Sequence, residues 1–298
     1  PEILLFRMDK NKIYQNVSLK KFNSWKAGGN AENFLICSNV EKLSELIRSK
    51  KIITPLTFIG LGSNILIRDG GVKGTIIETF GGLNDIRIEK DAIYAEAGVT
   101  CSKLSKFAAQ YGLSNSAFLS GIPGTIGGAL AMNAGCYGSE TWDYVQRVLI
   151  IKSNGDIASK QKDDFKVGYR KVVGSEKNEN FLAAWFKFPQ GNVKDSNDEI
   201  KKLLLHRKNT QPLNWPTAGS TFRNPKDHFA AKLIEDCGLK GLKKGMAQVS
   251  EKHANFIVNL GDATASDIEY LIDYIQKKVK QETKIDLKTE VKIIGDNC

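Results

Sequence analysis

GIPGTIGGALAMNAGCYG, residues 121–138, holds six glycines and one proline in a run that is otherwise as apolar as a buried strand or helix. Glycine inside either element costs roughly 0.5–1 kcal/mol relative to alanine. Such density has a use: it lets bare backbone come close to something. The neighbour is either other backbone, with the glycines as packing devices, or a ligand whose oxygens accept from exposed N–H groups. A second glycine turn, Gly60-Leu61-Gly62-Ser63-Asn64, follows the apolar run "PLTFI". Alone it reads as an ordinary hairpin turn between two strands. It begins like G-x-G-x-x-G, but Ile65 stands at the third glycine and no helical pattern follows, so a Rossmann fingerprint fails. No G-x-x-x-x-G-K-[ST] occurs either. Two such turns in one basic chain shift the balance toward a ligand that carries a pyrophosphate.

The 298 residues are enough for two domains. With 41% hydrophobic and 26% charged residues, the chain can bury a core. Its net charge of +10 favours anionic partners, or reflects only a solvated lysine surface, since the lysines are spread along the chain. Nucleic-acid modules and aromatic–basic runs are absent, which argues against a nucleic-acid partner. Five cysteines without a C-x-x-C pair argue against a disulfide framework or a zinc site. Three histidines without H-E-x-x-H leave no expected metal site. No apolar run approaches the ~18–20 residues of a membrane span, and the opening apolar run is too short for a signal peptide. The expectation is a soluble, cytoplasmic protein with no membrane partner.

Periodicity organises the rest. Val40, Leu43, Leu46 and Ile47 mark a helix with Asn39 as N-cap. "IRIEKDAIYAEAG" reads as two strands, "CSKLSKFAAQYG" as a helix closed by Gly112, and "YVQRVLIIKSNGDIA" as strand, Asn-Gly turn and strand. "FLAAWFKF" is a strand and "SNDEIKKLLLHRK" opens a helix with acidic residues in its first turn. Pro212, Pro216 and Pro225 then mark a boundary or site loop. Beyond it come a helix on Ala230, Leu233, Ile234 and Cys237, the strand "NFIVN", and a helix on Ile268, Leu271, Ile272, Ile275 and Val279 with Thr264 as N-cap. The terminal "TEVKIIG" is a strand. The pattern is α+β with at least two domains.

Single residues in these loops have plain readings as well as chemical ones. Ser220 in "GSTFRNP" could move a proton or cap a turn, and no G-x-S-x-G elbow makes it a nucleophile. Tyr169-Arg170 pairs a phenol with a guanidinium suited to a carboxylate, and is also a common surface dipeptide. Glu290 opens the last strand, and His253 precedes "NFIVN" as structural histidines often do.

Taken together and in order, "WKAGGNAENFL", "GLGSNILIRDGG", "GIPGTIGGALAMNAGCYG", "GYR", "AGSTFRNP", "AKLIEDCGLKG", "QVSEKHANFIVN" and "TEVKIIG" resemble the flavoenzyme family of UDP-N-acetylenolpyruvoylglucosamine reductases, also called UDP-N-acetylmuramate dehydrogenases. The resemblance covers nearly the whole chain. It implies a two-subdomain FAD-binding region of the vanillyl-alcohol-oxidase (PCMH) type and a C-terminal α+β substrate-binding domain. The implied boundaries are 1–75 for the first FAD subdomain, 76–209 with 285–298 for the second, and 210–284 for the substrate domain.

The resemblance also implies noncovalent FAD, NADPH as co-substrate, a nucleotide-sugar substrate and a monomer. FAD would lie along Gly60, Leu61, Gly62, Ser63 and Asn64, and along Gly121, Ile122, Pro123, Gly124, Thr125, Gly127, Gly128, Asn133 and Ala134. Ser220 would protonate the substrate carbanion, with Arg170 and Glu290 beside the substrate carboxylate. Tyr169, Asn224, His253 and Arg207 would bind substrate. The short path from "GYR" to "FLAAWF" matches the family's short form, which lacks an extra tyrosine-bearing loop. The rival is another flavin oxidoreductase of the same fold acting on an alcohol or hydroxy acid, which has no need of Ser220 together with Arg170 and Glu290.

Overall fold

The computed structural model describes residues 8–174 and 179–298. They divide into two compact units. The first takes residues up to 15, 33–61 and 74–207, and the second takes 16–32, 62–73 and 208–298.

Two sheets lie wholly or mainly in the first unit, the ends of three strands of one of them being counted with the second. One has the strand order Ile13–Ser18, Asn30–Ile36, Val72–Glu78, Leu56–Ile59. The other is antiparallel, in the order Ile157–Gln161, Val145–Ile151, Asn180–Phe186, Ala92–Glu96, Ile86–Glu89. Helix α1 (Val40–Arg48) buries Val40, Leu43, Leu46 and Ile47, and Asn39 Oδ1 accepts from the Lys42 N–H at 2.8 Å, as its spacing predicts. Helix α2 (Cys101–Gln110) starts at Thr100, whose hydroxyl accepts from the Lys103 N–H at 3.1 Å. Its apolar face joins Ile93, Ala95, Val148, Ala184 and Phe186 in one core. Elsewhere on this sheet Arg147 stacks on Trp185 (3.8 Å) and Arg87 on Tyr94 (3.9 Å), with Glu89 bonded to both arginines.

Two expectations change here. The Gly60–Asn64 loop is not a hairpin turn. Leu56–Ile59 pairs in parallel with Thr75–Glu78, while Ile65–Ile67 pairs in parallel with Lys292–Ile294. Each strand finds a distant partner, and parallel partners cannot be joined by a tight turn. The glycine-rich stretch, read as loop, contains helix α3 (Ile126–Met132). Ile126, Ala129, Leu130 and Met132 are buried, so tertiary burial outweighs the poor helix propensity of Gly127 and Gly128. Helix α4 (Val193–Thr210) follows, with Asp195 in its first turn.

The second unit carries helix α5 (Ala230–Asp236), helix α6 (Ala265–Thr283) and a sheet of order Lys243–Lys244, Ala247–Val249, Ile257–Asn259. The α6 residues Ile268, Leu271, Ile272, Ile275 and Val279 are all buried, the face that the periodicity predicts. They form one core with Trp25, Leu66, Phe222, Ile234 and Ile257, and Trp25 Nε1 donates to the Ile257 carbonyl at 2.8 Å.

The start of α6 is fastened twice. Thr264 and Asp267 form a capping box. Asp69 accepts from the N–H groups of Ala265 (3.0 Å) and Ser266 (2.9 Å) and from the Ser266 hydroxyl (2.8 Å). Burial pushes the Asp69 carboxyl up, but these donors outweigh it and leave the carboxyl below its ordinary value. Asp69→Ala is therefore expected to cost about 1–2 kcal/mol of stability at neutral pH, measured by thermal unfolding. A folded pKa below the unfolded value stabilises fully above about pH 4 and is lost as pH falls through the folded value. The gap between wild type and variant should close below that pH, and a gap unchanged there contradicts the assignment.

Candidate functional site

In the first unit the glycine-rich stretch is stitched to residues 97–101 by backbone alone. The Ile126 N–H donates to Val99 O (2.8 Å), the Gly127 N–H to Ala97 O (2.9 Å) and the Cys101 N–H to Gly124 O (3.0 Å). A Cβ on Gly127 would stand 2.9 Å from that of Ala97, so the approach requires glycine there. Thr125 lies between these bonds at 2% exposure. Its Oγ1 is buried without a hydrogen-bond partner among the described residues. A Cβ on Gly60 would collide with this side chain. The structure thus brings Gly60 from the first glycine turn against Thr125 from the second stretch. Gly128, by contrast, is exposed, and a Cβ there would meet nothing within 4 Å.

Asn133 follows α3 in the left-handed conformation (φ 44°). Its amide donates to Glu140 Oε2 (2.6 Å) and Gly168 O (3.3 Å), and its Oδ1 accepts from the Trp142 N–H (3.1 Å). Tyr169 and Arg170 sit at the turn between strands Lys166–Gly168 and Lys171–Val173. Arg170 holds a φ of +52°, a conformation that side chains resist. Its guanidinium donates to the carbonyls of Asn133 (3.2 Å) and Gly135 (2.6 Å) and lies 3.8 Å from Glu140 Oε1. Arg170 therefore belongs to the same local cluster as Asn133 and Ala134. Tyr169 is about half exposed, with the Arg170 cation 5.0 Å from its ring centre.

Arg207, near the end of α4, reaches the same neighbourhood. Burial lowers its pKa, partly offset by Tyr137 and Cys136. Tyr137 donates to the Leu203 carbonyl (3.2 Å) and packs edge-on against His206. Two guanidiniums thus face the 133–137 segment, a field suited to an anion.

In the second unit Gly62 takes φ +59°, and a Cβ added there would stand 2.3 Å from the Phe22 carbonyl oxygen, so a side chain would clash. Asn64 Nδ2 donates to the Glu290 carbonyl (3.2 Å), and Asn64 O accepts from the Lys292 N–H (2.9 Å). The Glu290 N–H in turn donates to Thr221 O (2.8 Å), next to Ser220. Asn64, Ser220 and Glu290 are therefore neighbours along one backbone ladder. Asn224 Oδ1 accepts from the Ala230 N–H (3.0 Å), a bond at the start of α5. His253 Nδ1 accepts from the Asn255 N–H (3.3 Å), and burial, with Lys240 adding to it, lowers the imidazole pKa. The sequence reading missed a cavity of about 540 Å³ lined by Lys208, Leu213, Trp215, Gln248 and Lys252, among others. These residue types are ordinary on surfaces, and only their convergence marks them.

Among the described residues no cluster of three or more His, Cys, Asp or Glu could hold a metal, and no helix is long and apolar enough to cross a membrane.

The model of an FAD binding domain matches residues 31–159, and that of the C-terminal domain of UDP-N-acetylenolpyruvoylglucosamine reductase matches 211–294. A reductase of that name from Nitrosospira multiformis is 44% identical over 310 residues, covering 96% of this chain and 89% of that protein. One from Legionella pneumophila is 47% identical over 283 residues, covering 94% and 93%. The chain belongs to the UDP-N-acetylenolpyruvoylglucosamine reductase family. The crystal structure of a family member from Thermus caldophilus superposes with a TM-score of 0.81 at 29% identity, covering 95% of this chain and 99% of that one. The α+β class expected from the sequence is the family's: an FAD-binding domain followed by its own C-terminal domain.

The residues present fit the family's cofactor. FAD would give the buried Thr125 hydroxyl the partner that the described residues do not supply, and bare Gly128 leaves it room. Cys136, inside the same stretch, is not a redox candidate. Burial pushes its thiol up to about 11 against the pull of Arg170 and Arg207, and burial pushes Cys101 to about 12. Alkylation at pH 8 should mark exposed Cys298 first and spare Cys101 and Cys136; rapid loss of Cys136 on peptide mapping would contradict this.

Proposed function

We propose how this chain's own residues perform the family's reaction. The chain is a flavoprotein reductase of peptidoglycan precursor synthesis. Its reaction, in this reading, is the NADPH-dependent reduction of the enolpyruvyl ether of UDP-N-acetylglucosamine enolpyruvate to UDP-N-acetylmuramate. When bound, FAD would supply the hydride-transfer chemistry that links NADPH to the terminal carbon of the enolpyruvyl double bond. The protein's part is charge and proton management. As hydride adds, negative charge builds on the conjugated carboxylate. Arg170 is assigned to that carboxylate, because preorganised cations act most strongly where charge develops. Glu290 is assigned beside it. Ser220 delivers the proton to the adjacent carbon, which completes the addition of two hydrogens. A hydroxyl is a weak acid, so placement must supply much of its effect.

The observation that carries the proton-donor assignment is the direct backbone bond from Glu290 to Thr221, the residue after Ser220. Tyr169, Asn224, His253 and Arg207 are assigned to the nucleotide-sugar substrate. FAD is assigned to Gly60–Asn64, Gly121–Thr125, Gly127, Gly128, Asn133 and Ala134, supported by the orphaned Thr125 hydroxyl. We assign the short form of the family, since only residues 171–179 connect Arg170 to the strand Asn180–Phe186. A cytoplasmic monomer agrees with this reading.

The purified protein should show flavin absorption bands that bleach with NADPH under anaerobic conditions and recover only on adding UDP-N-acetylglucosamine enolpyruvate. Bleaching without recovery would move the substrate to an alcohol or hydroxy acid. Ser220→Ala should bleach normally and recover roughly 10²–10⁴-fold more slowly. Gly128→Ala separates cofactor from fold. Alanine in a helix gains roughly 0.5–1 kcal/mol over glycine, so the apoprotein should melt no lower than wild type while FAD affinity falls. A variant with unchanged FAD affinity by fluorescence titration removes Gly128 from the cofactor site.

A further inference from the structure

Phe222 occupies an unusual position beside Ser220. On one side it pairs with Thr289 as an antiparallel bridge. That bridge is closed by the Glu290 N–H to Thr221 O (2.8 Å) and by the Arg223 N–H to Lys288 O (2.9 Å). In this kind of pair the N–H and C=O of Phe222 itself point away from Thr289. Among the described residues no strand pairs with them there. Instead Asn255 Oδ1 accepts from the Phe222 N–H (2.9 Å), and Asn255 Nδ2 donates to the Phe222 carbonyl (2.8 Å). The Asn255 main-chain carbonyl also accepts from the Thr221 N–H (2.8 Å). Asn255 is 4% exposed, Phe222 1% and Thr221 0%, so these bonds are shielded from water. One carboxamide stands in for a missing β-strand.

We propose that Asn255 is the positioning residue of Ser220, fixing the main chain that carries the proton donor and, through Thr221, the segment that carries Glu290. The proposal rests on the reading of Ser220 as the proton donor. Its chemistry is specific. Only a side chain with one acceptor and one donor on the same short planar group can satisfy both Phe222 groups. A carboxylate keeps the acceptor and turns the donor bond into a repulsion with the Phe222 carbonyl. An aliphatic residue leaves both backbone groups buried and unpaired. The chain holds Asn255 ready: its N–H is fixed on His253 Nδ1, and the Ser250 hydroxyl gathers the preceding turn by accepting from the N–H groups of Lys252 and His253. Asn255 thereby couples the His253 turn to the Ser220 loop.

The test is Asn255→Asp in the FAD-loaded enzyme, with Ser220→Ala in parallel and both half-reactions followed by stopped-flow absorbance. In Asn255→Asp, reduction by NADPH should match wild type, while reoxidation by the enolpyruvyl substrate should slow by roughly 10- to 100-fold. Substrate affinity should change little. Reoxidation should also gain a solvent deuterium isotope effect as proton transfer becomes limiting. Lowering the pH should restore the variant selectively, because a protonated carboxyl again offers one acceptor and one donor. If both half-reactions slow together, or neither slows, or acid gives no recovery, the assignment of Asn255 is overturned. If Ser220→Ala itself reoxidises at the wild-type rate, the proton-donor reading fails, and that failure is visible separately. Asn255→Leu, with thermal unfolding measured alongside, guards against reading a loss of fold as a loss of positioning.

Discussion

Backbone bonded directly to backbone is the constraint on which the first unit's site depends. Three bonds tie residues 124–127 to 97–101, and they are possible only because Gly127 brings no side chain against Ala97. With this approach made, Thr125 is buried with an unused hydroxyl and α3 begins at a fixed place. Asn133 then ends α3 in a left-handed conformation, and its carbonyl and that of Gly135 hold the Arg170 guanidinium. A strained arginine backbone is tolerated because these bonds offset it. The glycines are thus the condition for the 121–135 segment and the Arg170 cation to share one cluster.

The second unit solves a similar problem by different means. Its core is a well-patterned helix, α6, packed on Trp25, Phe222 and Ile257. The segments around Ser220 and Glu290, proposed as site residues, have little regular structure of their own. They are held by a short ladder: Asn64 to Glu290, Glu290 to Thr221, Phe222 to Asn255. A buried amide whose donor and acceptor are both satisfied specifies one geometry, since any shift leaves polar groups unpaired. For the proton-donor role proposed for Ser220, such fixed placement matters because a hydroxyl is a weak acid.

Much of the fold was legible wherever one element decides its own structure. The caps Asn39 and Thr264 act within their own turn. The α6 face from Ile268 to Val279 follows from a 3.6-residue period. The strands at Val145–Ile151 and Ile157–Gln161 pair across a local turn. The reading failed where distant pairing competed with local pattern. Gly60–Asn64 has the composition of a hairpin turn, yet its flanking strands pair in parallel with Thr75–Glu78 and Lys292–Ile294. Ile126–Met132 has poor helix propensity, yet burial makes it helical.

By itself the sequence determined the α+β class, the caps and faces of its clear helices, the excess of glycine where backbone must approach closely, and the family, through motifs kept in order over the whole chain. Those features are local or additive, so they survive as pattern. The tertiary structure alone decided that Arg170 binds the Asn133 and Gly135 carbonyls, that Thr125 is left with an orphaned hydroxyl against Gly60, and that Asn255 serves as a strand for Phe222. Each of these joins residues more than 30 positions apart through a hydrogen bond or a steric contact. Whether such a bond forms depends on which donors remain unmet after folding, and that is a property of the packed chain and not of any segment of it.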